Sequence, residues 1–186
     1  EESIDNATWV NASSVPDAGD VAVTIQNTHT VTLSAAATSP NLTINSGGIL
    51  TTASSFTLSV NGTTNVSGTL NLANTGNNTF NGDITLNSTG VWNETVAATY
   101  AIAGNLTNNA ATFTASIGVH TFSGTAKTIS GSTTTAIPSV TISGTTTNNG
   151  TLTVATALAG VGGFRVGFEK AAKNRFETVW FNQWEP

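Results

Sequence analysis

Few residues of this chain are of types that do chemistry, and they are widely spaced. The histidines, His29 and His120, are 91 residues apart, so they do not form the closely spaced pair on which a metal site is built. The carboxylates of the body are scattered: Glu1, Glu2, Asp5, Asp17, Asp20, Asp83 and Glu94. Enzymes that cleave polysaccharides hold two acids, or an acid and a base, at a fixed separation. The spacing predicts no catalytic residue, no metal site, no cofactor and hence no enzyme.

These groups have simpler structural interpretations. Asp17 and Asp20 follow Pro16 and suit a turn in which an Asp side chain accepts backbone N–H groups. Calcium binding is the alternative, although oxygen cages usually gather several acids close together. We expect the acids to be dispersed at turns, and His29 and His120 to be half-buried strand residues.

The composition excludes several classes of partner. Only 8% of the 186 residues are charged, the net charge is −5, and four of the five basic residues lie in the last 23 positions. The body before them contains only Lys127, too little positive charge for a nucleic-acid backbone. No run of 18 apolar residues exists, so we expect no transmembrane span. Cysteine is absent, so neither a disulfide framework nor a thiolate metal site is available. Methionine is also absent, even at position 1. This favours an exported protein whose signal peptide has been removed, an arbitrary starting point being the alternative.

One short phrase recurs along the chain: an apolar residue, a spacer, a glycine and a small polar residue. The apolar members are Val60, Phe80, Ile102, Phe122 and Ile142, and the glycines are Gly62, Gly82, Gly104, Gly124 and Gly144. The glycines are 20, 22, 20 and 20 residues apart. A fixed period of this length indicates one supersecondary unit that is copied along an axis. We expect the five apolar residues to stack in one buried column and the glycines to occupy the turns.

The hydrophobic pattern between these phrases has a period of two. Short alternating runs such as Val21, Val23 and Ile25 end at Asn, Gly or Ser, which favour tight turns. Strands this short, repeated every 20 residues, predict an all-β fold, a parallel β-solenoid in which asparagines stack in ladders at the turns. A β-sandwich is the alternative, but it gives no reason for the regular glycine.

The N-terminal residues carry a resemblance. Trp9, the turn Pro16-Asp17-Ala18-Gly19-Asp20 and the strand-like Val23-Thr24-Ile25 resemble the opening coils of secreted bacterial β-strand-repeat surface proteins. Residues 142–154 are similar to the body repeat of the same group. The resemblance implies a right-handed parallel β-helix on a cell surface and brings no catalytic residue with it. In this interpretation residues 1–20 form an N-terminal cap and residues 21–160 form the solenoid.

Residues 161–186 depart from the repeat and contain half of the phenylalanines and half of the tryptophans. Helical spacing would place Phe168, Phe176, Val179, Trp180 and Trp184 on one stripe, whereas strand spacing would separate Val179 and Phe181 from the others. This tail either folds back on its own last coil or docks on another subunit; an interfacial membrane helix and an appended foreign tail are the further alternatives. Residues expected to mediate self-assembly are Phe168, Phe176, Val179, Trp180, Phe181 and Trp184 in the tail, and Trp9 and Val21 near the first coil.

Three kinds of function follow from these features. The first is a structural subunit of an extracellular filament or surface layer, a homopolymer that joins head to tail through the solenoid ends and the tail. The second is an adhesin stalk or a glycan-binding module whose partners are surface glycans. The third is ice binding through threonine pairs, of which Thr30/Thr32, Thr112/Thr114 and Thr151/Thr153 exist without recurring at the 20-residue step. Ten Asn-x-Ser/Thr sequons also make N-glycosylation a candidate modification.

Overall fold

The computed structural model describes residues 22–154, which form one stack of short parallel β-strands without a helix. The unit is a coil of three strands of three or four residues each. Equivalent strands of successive coils pair in parallel, so each coil adds about 4.8 Å to the stack. The longest side contains seven strands and therefore marks about seven coils. The prediction of an all-β parallel solenoid is confirmed, and the sandwich alternative is wrong. The predicted cap and tail lie outside the described residues.

We number the three sides of the stack in chain order. Face 1 is a seven-stranded ladder. Its strands are Val23–Ile25 (β1), Leu42–Ile44 (β4), Thr64–Val66 (β7), Ile84–Leu86 (β10), Leu106–Asn108 (β13), Lys127–Ser130 (β16) and Thr146–Asn148 (β19).

Faces 2 and 3 complete each coil. Face 2 contains Thr30–Thr32 (β2), Ile49–Thr52 (β5), Thr69–Leu72 (β8), Val91–Glu94 (β11) and Thr112–Thr114 (β14), and it continues with the separate pair Thr135–Ile137 (β17) and Leu152–Val154 (β20). Face 3 contains Ala37–Ser39 (β3), Leu58–Val60 (β6), Asn78–Phe80 (β9), Tyr100–Ile102 (β12), His120–Phe122 (β15) and Val140–Ile142 (β18).

The core runs along the axis as columns of side chains in register. On face 2, one such column consists of Val31, Leu50, Leu70, Trp92 and Phe113. The ring centroids of Trp92 and Phe113 are 6.2 Å apart, a separation at which aromatic pairs stabilise each other. The residues between the inward positions are mostly threonine, whose β-branched side chain suits a pleated surface.

Candidate functional site

The five repeated apolar residues lie in one column on face 3. Val60 pairs with Phe80, Phe80 with Ile102, Ile102 with Phe122, and Phe122 with Ile142. The first four are at most 3% exposed, whereas Ile142 is 41% exposed. The expectation of near-complete burial therefore does not hold for Ile142. The reason is its position in β18, the last strand of this ladder among the described residues.

The repeated glycines stack at the corner between face 3 and face 1. A Cβ atom on Gly104 would overlap the carbonyl group of Gly82, and one on Gly144 would overlap the carbonyl oxygen of Gly124. None of the five has a positive φ, in contrast to Gly47 at 80° and Gly131 at 115°. Glycine is thus required here by the close approach of successive backbones rather than by a left-handed turn.

The residues predicted to mediate self-assembly cannot be placed. Trp9, Val21 and the tail residues Phe168, Phe176, Val179, Trp180, Phe181 and Trp184 all lie outside the described residues. Their role remains a prediction.

A buried acid–histidine pair occupies the corner between faces 2 and 3. The Glu94 and His120 side chains are 0% and 1% exposed, and His120 Nε2 lies 2.9 Å from Glu94 Oε1. Trp92 Nε1 donates to the same oxygen at 2.8 Å, and the Ser116 backbone N–H donates to Oε2 at 2.7 Å. The expectations that Glu94 lies at a turn and that His120 is half-buried are wrong, because both side chains point inward from strands.

Hydrogen bonding fixes the arrangement of protons in this pair. His120 Nδ1 lies 2.9 Å from the carbonyl oxygen of Gly118, which can only accept, so Nδ1 carries a hydrogen. A single further proton between Nε2 and the Glu94 carboxylate then satisfies every contact. The Glu94 carboxylate and the His120 imidazole are therefore at a separation suited to proton transfer. Because both side chains are buried, a dissolved substrate cannot reach them. This geometry suits hydrogen bonding between neighbouring coils better than catalysis.

Tyr100 closes one side of the pair. Its ring stacks on that of His120 with centroids 4.6 Å apart. Burial, followed by the nearby Glu94 carboxylate, raises the pKa of Tyr100 well above its ordinary value of 10.0. The phenol is therefore held neutral within the core.

The corner between face 3 and face 1 carries a ladder of polar side chains. Asn41 Oδ1 accepts from the backbone N–H of Thr63, Asp83 Oδ1 from that of Asn105, and Asn105 Oδ1 from that of Thr128. The hydrogen bonds from Asn105 hold the pKa of the Asp83 carboxyl below its ordinary value. Each side chain thus ties its own coil to the next.

The outward surface of face 2 is a double row of uncharged residues, most of them threonine or asparagine. One row is Thr30, Ile49, Thr69, Val91 and Thr112, and the other is Thr32, Thr51, Asn71, Asn93 and Thr114. The threonine pairs of β2 and β14 therefore share one ladder although they do not recur at the 20-residue step. Thr153 lies in β20, in the other ladder of this face.

Face 2 is interrupted between β14 and β17, which contact one another without forming a ladder. A groove of about 300 Å³ opens at this interruption. Its lining includes Phe113, Ala115, Ala136, Ile137, Pro138 and Thr153. The groove is apolar and contains no charged side chain among its lining residues.

The fold and these contacts define the class of the molecule, a parallel β-solenoid repeat protein. No family model matches the chain, and neither a curated protein nor a solved structure matches it. Between residues 22 and 154, no three His, Asp or Glu side chains are grouped so that they could hold a metal ion. Within the same range no helix has the length and apolarity to cross a membrane.

Proposed function

We propose that this chain is a structural subunit of an extracellular filament or surface layer, in which copies join head to tail through the solenoid ends. The described part contains only three Asp, Glu, Lys or Arg residues: Asp83, Glu94 and Lys127. Because Glu94 is buried, the outer surface of this described part consists mainly of uncharged residues such as threonine, serine, asparagine and alanine. Such a surface suits a scaffold outside the cell better than a soluble enzyme, and we propose a non-catalytic role.

The observation that carries this proposal is how the interior columns terminate. Val31, at the first-coil end of the face 2 column, is 37% exposed, and Ile142, at the last-coil end of the face 3 column, is 41% exposed. Within the described residues, each lies at one end of its column, and the other members of the two columns are buried except for the partly buried Phe113. In the described part, the first and last strands of each ladder are unlike edges, and an uncovered strand edge favours further pairing. Contact between unlike ends does not close on itself and extends into a fibre. In the filament, we propose that the tail residues Phe176, Trp180 and Trp184 meet the next copy near Trp9 and Val21.

The test blocks one end at a time. Val31→Asp blocks the first-coil end, Ile142→Asp blocks the last-coil end, and Thr79→Asp, on the outward side of face 3, is the matched control. By light scattering and electron microscopy, we expect the wild type and the control to form filaments and each end variant alone to stay monomeric. An equal mixture of the two end variants should form dimers, since each retains one intact end.

Two outcomes would contradict the proposal. A wild type that stays monomeric at micromolar concentration indicates the adhesin stalk instead. Absence of dimers in the mixture excludes head-to-tail contact. Truncation after Gly163 tests the tail separately: filaments of normal length and stability without it would exclude its participation, and unfolding of the truncated monomer would indicate self-capping.

A second candidate function, ice binding, is favoured by the double row on face 2. Its threonines are held at the regular spacing of the ladder, and β-branching leaves them few rotamers. Such preorganised hydroxyl and methyl groups suit an ordered, uncharged lattice of water molecules. We expect the wild type to inhibit ice recrystallisation, Thr69→Lys to abolish the effect, and Thr85→Lys on face 1 to retain it. A wild type without inhibition would exclude this function.

A further inference from the structure

The groove on face 2 results from the uneven length of two corners. Five residues connect β14 to β15, as in the preceding coil between β11 and β12, but only two, Pro138 and Ser139, connect β17 to β18. Three extra residues lie at the preceding corner, since Ile129 follows Phe122 by seven positions whereas their partners Leu106 and Ile102 are four positions apart. The strand β17 is thereby displaced from β14, and the side chains of Phe113, Ala115 and Ala136 line the opening.

We propose that this groove is the docking site for the beginning of the same chain's tail, with Phe164 as the anchor. Thr153 lines the groove, and the described chain continues for one residue beyond it, to Val154. Nine residues, all small or aliphatic, then precede Phe164, the first aromatic residue of the tail. At roughly 3.3 Å per residue, this segment is long enough to reach any part of the groove.

The chemistry of the groove matches a phenyl ring. Its apolar lining has no charge with which to pair Arg165 or Lys170, whereas Phe113 offers an aromatic partner and Pro138 a rigid apolar wall. Docking of Phe164 leaves Phe176, Trp180 and Trp184 available for contact with another copy. The inference therefore goes beyond the proposed function and does not depend on filament formation.

Cysteine pairs test the position of the tail, because the natural chain has no cysteine. Ala136→Cys at the groove is combined with Arg165→Cys, and the matched control combines Thr107→Cys on face 1 with Arg165→Cys. In dilute full-length monomer, we expect an intrachain disulfide to form at least about tenfold faster in the groove pair than in the control. Equal rates, or disulfides that form only between chains, would overturn same-chain docking. Interchain bonds would assign the groove to a second copy.

Proteolysis tests the anchor itself. Trypsin cuts after Arg165, next to Phe164, and docking should protect this bond. We expect Phe164→Ser to accelerate cleavage there roughly tenfold or more, since it removes the buried ring. The control is Ile117→Ser, at an apolar side chain that is 78% exposed and does not line the groove, and it should leave the rate unchanged. Equal acceleration by both variants, or none by Phe164→Ser, would overturn the assignment of Phe164.

Discussion

Glu94→Leu is the substitution that tests the buried pair most directly. Leu72 occupies the equivalent position one coil earlier, so a leucine side chain fits this column and the change removes mainly the carboxylate. His120, the Trp92 indole N–H and the Ser116 amide then lose their acceptor. Removing one member of a buried ion pair costs about 3–5 kcal/mol, a large fraction of the roughly 5–15 kcal/mol that keeps a domain folded.

The partner substitution is His120→Phe, which keeps a ring over Tyr100. Alone it leaves the Glu94 carboxylate buried without its partner, and we expect a loss in the same range of about 3–5 kcal/mol. In the double variant, the Trp92 and Ser116 donors and the Gly118 carbonyl stay unsatisfied, at about 1–3 kcal/mol each. The double variant should therefore lose about 2–3 kcal/mol less than the sum of the two single variants.

Urea unfolding followed by circular dichroism measures all four proteins. Thr79→Val, an outward change on face 3, is the control and should stay within about 0.5 kcal/mol of the wild type. If a single variant does not fold, Glu94→Gln, which keeps an oxygen for the Trp92 N–H, gives a smaller and measurable loss. Additive losses, or a Glu94→Leu protein as stable as the wild type, would refute the assignment of a coupled buried pair.

Three further predictions concern the column, the glycine stack and the phenol. Phe122→Ala should reduce the unfolding free energy by about 3–5 kcal/mol through lost burial and a cavity. Because the Ile142 side chain is 41% exposed, Ile142→Ala should reduce it clearly less. Equal losses would contradict the burial of the column. Gly104→Ala should cost about 1–3 kcal/mol in urea unfolding because its methyl group would overlap the backbone of Gly82, and an unchanged midpoint would exclude the close approach. Because the pKa of Tyr100 is higher in the folded state, its contribution to stability is complete below about pH 10 and is lost as the pH rises beyond that value. Tyr100→Phe should flatten this alkaline loss, and Tyr100, the sole tyrosine, should titrate late by absorbance; titration near pH 10 would exclude the shift.

The 20-residue period of the sequence predicted most of the fold. The apolar residue and the glycine of each phrase lie at one corner of the stack, where the step between coils stays at 20 or 22 residues. Their alignment therefore predicted the register of face 3 from Val60 to Ile142. The sequence pattern did not show why each phrase contains a glycine. A turn with positive φ and a close contact between backbones both favour glycine.

The acid–histidine pair was missed because it is distant in sequence and local in space. Glu94 and His120 are 26 residues apart, and a search for closely spaced ligands or catalytic acids passes over them. A signal was nevertheless present. Aligning β11 on β8 places Trp92 over Leu70 and Glu94 over Leu72, and aligning β15 on β12 places His120 over Tyr100. Two inward positions at one corner therefore change to an acid and a base, Leu72 to Glu94 and Tyr100 to His120, and burial requires that each satisfy the other.

The corner after β14 in coil five (β13–β15) is longer than the corner after β17 in coil six (β16–β18), and this difference connects the buried pair with the groove. The five-residue corner after β14 supplies the Ser116 N–H to Glu94 and the Gly118 carbonyl to His120. The corner after β17 has only Pro138 and Ser139 and cannot supply such a loop. Accordingly, Thr135 and Val140 of coil six occupy inward positions without ionisable groups, and β17 leaves the ladder of β14. The same change in corner length thus ends the polar interior of this side and opens its apolar groove.

A variant that lengthens the corner at Pro138 by three residues should restore β14–β17 pairing and close the groove. Hydrogen exchange should then show new protection at the amides of β17. Unchanged exchange at these amides would show that the length of the corner does not cause the interruption of the ladder.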